Sequence, residues 1–113
     1  MRDPHVRRSI AGMPRFVVER SFAQITDEDF LAAAGRSDRA IVERFPEITW
    51  EHSHVCVDEA GGITTFCVYE APDQEAIRAH ADDFGAHSVA RIYELLEDVT
   101  PLDVRRRAAS AGL

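Results

Sequence analysis

A chain of 113 residues, 45% hydrophobic and 29% charged, has the composition of an ordinary soluble globule and the length for one domain with one core. No apolar run approaches the roughly 18 residues a membrane span requires, and the first fifteen residues lack the apolar stretch of a secretory signal; the expected location is cytoplasmic, with no membrane partner. The net charge of −7 is unevenly spread: residues 1–15 carry four Arg and one Asp and residues 103–113 three Arg and one Asp, whereas 16–102 holds six Arg against eighteen acids. Such an acidic body repels phosphate, so Arg105, Arg106 and Arg107 read as a solvated tail and not as a nucleic-acid contact. All thirteen basic residues are Arg, which excludes Schiff-base chemistry and a lysine general base.

Residues 1–12 show no periodicity and read as a flexible extension ahead of a domain spanning 13–102. From Arg15 the branched and aromatic content predicts a first strand. Thr26 is placed to cap a helix whose first turn is acidic, and Phe30, Ala34, Ser37, Ile41 and Phe45 recur at helical spacing until Pro46 stops the run. Two strands, 48–57 and 63–70, flank the glycine-containing hairpin loop Asp58-Glu59-Ala60-Gly61-Gly62. Pro72 and Asp73 open a second helix that turns Ile77, Ala81 and Phe84 inward and stops at Gly85. Residues 88–99 fit either a helix or a strand; read as a short turn running into a strand they complete the order βαββαβ. That order implies an α+β ferredoxin-like sandwich, one antiparallel sheet with two helices on one face, followed by a basic tail over 103–113. The uncovered sheet face is expected to pair with a second copy, giving a homodimer of the dimeric α/β barrel type.

The most informative stretch is His52-Ser53-His54-Val55-Cys56, in a chain with only five His and two Cys. Strand alternation puts Trp50, His52, His54 and Cys56 on one side and Val55 and Val57 on the other. Pairing Asp58 with Ile63 would set Cys56 opposite Thr65, His54 opposite Cys67 and His52 opposite Tyr69, with Val55, Val57, Phe66 and Val68 meeting under the helices. On that register Trp50, His52, His54, Cys56, Cys67 and Tyr69 gather on the helix-free face. The thiols of Cys56 and Cys67 sit on a diagonal, too far apart for an unstrained disulfide, and are expected to be free. His52, His54, Cys56 and Cys67 are the candidate metal ligands. Imidazole with thiolate suits nickel, copper or zinc over magnesium or calcium, and ligation requires neutral imidazoles, so it weakens in acid.

From Met13 to Pro101 the chain resembles a family of small bacterial nickel-binding proteins of ferredoxin-like fold, first catalogued as a domain of unknown function. The resemblance rests on Met13-Pro14-Arg15-Phe16-Val17-Val18-Glu19-Arg20, on Trp50 followed by His52-Ser53 and Val55, and on Phe66-Cys67-Val68-Tyr69-Glu70-Ala71-Pro72-Asp73 running into Glu75-Ala76-Ile77-Arg78 and His80-Ala81. It implies a dimer closing its open sheet faces on each other, and nickel as the metal. His54 and Cys56 depart from the family, which more often has an aromatic and a small or polar residue there. A competing expectation is a cofactor-free enzyme of the cyclase, isomerase or oxygenase kind, using His52, Tyr69, His80 and Glu70 for acid–base work on a small-molecule ligand in a pocket between sheet and helices. No nucleophile motif, phosphate loop or dinucleotide fingerprint accompanies it.

Overall fold

The computed structural model describes residues 12–23, 25–84 and 88–112. Strand β1 (Arg15–Ala23) is followed by α1 (Asp27–Arg44), β2 (Thr49–Val57), β3 (Ile63–Glu70), α2 (Gln74–Phe84), β4 (Ser88–Glu94) and α3 (Pro101–Ser110). The four strands form one sheet in the order β2-β3-β1-β4, every pair antiparallel. Four antiparallel strands with helices between the first two and the last two are compatible with a ferredoxin-like fold. The expected extension over 1–12 falls, Gly12 apart, outside the described residues, as do Gly85 and His87.

Local chemistry accounts for the helix ends. The Asp29 N–H donates to Thr26 Oγ1 at 3.0 Å, and α1 ends at Phe45, ahead of Pro46, whose ring disfavours helical backbone in the residue before it. The Ala76 N–H donates to Asp73 Oδ1 at 2.9 Å to open α2. Helix α3 takes up most of the expected tail: Thr100 and Asp103 exchange bonds in a capping box, Pro101 begins the first turn, and Gly112, at φ 76°, follows the last. It buries none of its residues, so local signals sustain it.

The core lies between the sheet and α1 and α2, built from Phe16, Val18, Cys67 and Tyr69 of the strands with Ile41 and Ile77 of the helices. The placement of Cys67 and Tyr69 there corrects the expected register. Observed partners are Val57–Ile63, Cys56–Thr64, Val55–Thr65, His54–Phe66, Ser53–Cys67 and His52–Val68. The register is offset by one residue because Asp58 closes the loop, its N–H bonding Gly62 O at 2.9 Å and its Oδ1 accepting from the N–H groups of Ala60 and Gly62, while Gly61 takes φ 85°. A one-residue slip exchanges the faces of a strand. Thr65, Cys67 and Tyr69 therefore point toward the helices, and Phe66 and Val68 point away.

A second irregularity lies between Trp50 and His52, where Trp50 pairs with Tyr69 and His52 with Val68, leaving Glu51 as an extra residue. The bulge puts Trp50 on the helix side, against the core, while His52, His54 and Cys56 stay on the outer face. Arg15 holds the bulge: its Nε and Nη2 donate to the two Glu51 carboxylate oxygens at 2.8 and 3.0 Å, and its Nη1 to Asp98 at 2.9 Å. The bond to Glu51 above all holds the buried Arg15 guanidinium in its charged form, its pKa raised. Glu51→Ala should lower stability by about 1–3 kcal/mol, because Arg15 stays buried with half its partners gone. Glu43→Ala, which removes an exposed contact to Arg44 at 3.6 Å, should cost under about 0.5 kcal/mol. Urea denaturation of both variants near neutral pH reads the difference.

Candidate metal centre and the cavity behind it

Strand β2 presents different chemistry on its two sides. Outward, His52 and His54 lie edge to face with ring centroids 5.2 Å apart, and Cys56 follows two residues on, its thiol free and exposed. Two imidazoles that ligate one ion at about 2.0–2.1 Å have ring centres roughly 4.5–5.5 Å apart, so the pair is suitably spaced for a shared metal. Among the described residues no group of three or more His, Cys, Asp or Glu is positioned to hold an ion. One chain thus brings together His52 and His54, keeps Cys56 on their face, and sends Cys67 to the far side of the sheet. Cys67 is buried and free, its Sγ donating to Thr65 Oγ1 at 3.5 Å. Neither thiol is in a disulfide, as expected.

The same parting of faces divides the acid–base set. His52 and Glu70 belong to the outer face, whereas Tyr69 and His80 meet on the inner one, ring centroids 5.9 Å apart. His80 has no exposed surface. Its Nε2 lies 3.1 Å from Ser37 Oγ and 3.2 Å from Ser37 O, and its ring packs edge-on to Phe45. Burial lowers its pKa, and the neutral ring can give its Nε2 proton to the Ser37 carbonyl.

Between α1 and the inner face lies a cavity of about 230 Å³. Its walls include Phe22, Phe30, Leu31, Trp50 and Val55, and its polar lining includes Arg20, Thr65 and Tyr69. Arg20 is 2% exposed and donates from Nη2 to Tyr69 Oη at 3.2 Å, its guanidinium 5.6 Å from the Tyr69 ring centre. Desolvation pushes the Tyr69 phenol up to about 12, so it remains protonated at neutral pH. Arg20 and Thr65 stand outside the candidate residues that the sequence pattern offers. The signal for Arg20 was present: it continues the inward alternation Phe16, Val18 on β1, where a charged residue is out of place unless it serves something.

A family model described as nickel responsive protein SCO4226-like matches residues 16–95. The chain belongs to the SCO4226-like family. The match covers β1 to β4 and leaves α3 outside it. No curated protein matches the chain. A crystal structure of formyltetrahydrofolate deformylase from Burkholderia mallei ATCC 23344 is similar over 88% of this chain and 47% of that one, with 17% identity and a TM-score of 0.46. The SCO4226-like chain thus spans about half the length of that enzyme, a likeness too slight to inform function. Among the described residues no helix is long and apolar enough to cross a membrane.

The buried His80 gives the SCO4226-like domain a pH dependence of defined sign. Its folded pKa lies below the ordinary imidazole value of 6.5, so the stabilisation from keeping it neutral is complete above that value and is lost as pH falls toward the folded pKa. Between pH 6.5 and 5.5, above the carboxylate range, parent stability should drop by up to about 1.4 kcal/mol per pH unit. His80→Leu should show a flatter profile over the same interval. Urea denaturation of both proteins across that window checks the sign and the residue.

Proposed function

We propose that this protein is a homodimer that binds a divalent transition metal, nickel foremost, through His52 and His54, with Cys56 as a thiolate donor further along the same face. The observation that carries the reading is the imidazole pair, 5.2 Å between ring centroids and turned away from the core, in a chain whose family is described as nickel responsive. Imidazole and thiolate suit copper and zinc as well, and the family favours nickel among them. Cys67 is left out of the ligand set because its thiol faces the helices. When bound, the ion would draw the three side chains together and select their deprotonated forms.

A second copy supports the reading in two ways. The outer face carries Val17, Phe66 and Tyr93 beside the histidines, and apolar groups on a sheet face away from α1 and α2 favour a cover. One chain offers two close imidazoles and one thiol, fewer donors than a closed site takes; a second copy laid on the same face repeats all three.

The untagged protein, purified without chelator, should contain nickel in stoichiometric amount by elemental analysis and elute at dimeric mass. His52→Ala/His54→Ala should keep the circular dichroism spectrum and lose nickel affinity by more than the roughly 10- to 100-fold that even a supporting contact is worth. Cys56→Ser should weaken nickel less and alter its thiolate charge-transfer absorption. Equal metal content in parent and double variant would overturn the assignment to this strand.

A further inference from the structure

We infer that the cavity between α1 and the inner sheet face is a binding site for a neutral, flat aromatic molecule of about two fused rings, held by apolar contact without a polar anchor. This goes beyond the metal reading and uses the opposite side of the sheet.

The buried polar groups around the cavity are bonded to one another and withdrawn from it. Arg20, Thr65, Cys67 and Tyr69 are each 6% exposed or less. Arg20 Nη2 donates to Tyr69 Oη at 3.2 Å and Cys67 Sγ to Thr65 Oγ1 at 3.5 Å, and no buried side-chain polar atom of Arg20, Thr65 or Tyr69 lacks a hydrogen-bond partner. The indole N–H of Trp50 is likewise taken up, donating to Ser53 Oγ at 2.9 Å. An incoming molecule therefore meets ring and hydrocarbon: Phe22, Phe30, Leu31, Ala34, Trp50 and Val55 line the cavity and all keep accessible surface. A charged ligand would give up its water here and find the donors committed and covered, which penalises it. A neutral apolar ligand gives up only unfavourable contact with water.

Size and shape narrow the class. A cavity of about 150 Å³ holds benzene; one of about 230 Å³ is roughly half as large again and takes two fused rings. Phe22 and Phe30 meet edge to face with ring centroids 5.6 Å apart, and Trp50 brings a third ring from β2. Aromatic rings prefer offset and edge-to-face neighbours beyond what buried area alone supplies, which favours a flat aromatic over a saturated molecule of the same outline. Entry is open, since Leu31 and Val55, which line the cavity, are both exposed.

The test titrates the full chain at pH 7 with 2-naphthol, with its anionic counterpart 2-naphthoate and with its saturated counterpart decahydro-2-naphthol. Calorimetry gives the affinities, and the indole N–H proton resonance of Trp50, the single tryptophan, reports the place. 2-Naphthol should bind saturably, move the Trp50 resonance and raise the thermal transition by mass action. 2-Naphthoate should bind roughly 10-fold more weakly or worse, its carboxylate left without a donor, and the saturated alcohol roughly 2- to 10-fold more weakly. Ala34→Phe, which fills the cavity from α1, should abolish binding with the thermal transition retained; if it does not fold, the three probes and the Trp50 resonance on the parent chain decide alone. His52→Ala/His54→Ala should bind 2-naphthol as the parent does, so loss of the metal reading leaves this one standing. The assignment is overturned by any of four results: no saturable binding of 2-naphthol up to its solubility, an unmoved Trp50 resonance, either counterpart binding as tightly as 2-naphthol, or unchanged binding in a folded Ala34→Phe.

Discussion

The two-oxygen contact between Arg15 and Glu51 decides which side chains of β2 face which way. Without an extra residue at 51, alternation from Trp50 would place His52, His54 and Cys56 on the side of Trp50, which is the core side. With it, the indole packs inward and the imidazoles point outward. A bulge leaves one residue out of the ladder, and holding it there needs a specific partner. Arg15 is that partner, and by reaching Asp98 as well it ties the bulge to the segment after β4. One ion-pair network at the sheet's end thus separates an aromatic cavity from a pair of exposed imidazoles.

That separation gives a thin sheet two independent chemistries. Outward lie two imidazoles and a free thiol; inward lie aromatic side chains, hydroxyls and the buried guanidinium of Arg20. Placed on one face, Arg20 would repel a cation held by the imidazoles of the proposed site, and a thiolate would compete for the guanidinium. The sheet backbone between them keeps the two charges apart. Cys67 marks the boundary: a candidate ligand by residue type, it packs beside Thr65 and Tyr69 in the cavity lining and stays with the core.

The order βαββα followed by a strand was legible because each element carried its own punctuation: Thr26 and Pro46 around α1, the Asp58 to Gly62 loop, Pro72 and Asp73 before α2. The outward direction of His52, His54 and Cys56 was legible from alternation relative to Val55. Two features were not. The hairpin register depended on whether Asp58 or Val57 pairs first, which the Asp58 side chain settles by bonding Ala60 and Gly62, and that one-residue choice moved Cys67 and Tyr69 to the other face. The bulge depended on Arg15, 36 residues away in sequence, and no local pattern reveals so distant a partner. Helix α3 was readable in principle from Thr100-Pro101-Leu102-Asp103, a capping box with proline in the first turn, although the basic run that follows reads equally as a solvated tail.

The donor count on the outer face has a thermodynamic consequence for the proposed dimer. When a site is half-built in each copy, the metal adds to the free energy of association, and association adds to the affinity for metal, by the same amount. Such a dimer tightens its hold on the ion as protein concentration rises and releases it on dilution. A chain that carried a complete His and Cys set on its own would show no such linkage. The arrangement of β2, two imidazoles together and one thiol two residues on, is therefore suited to a response graded by the amounts of both ion and protein.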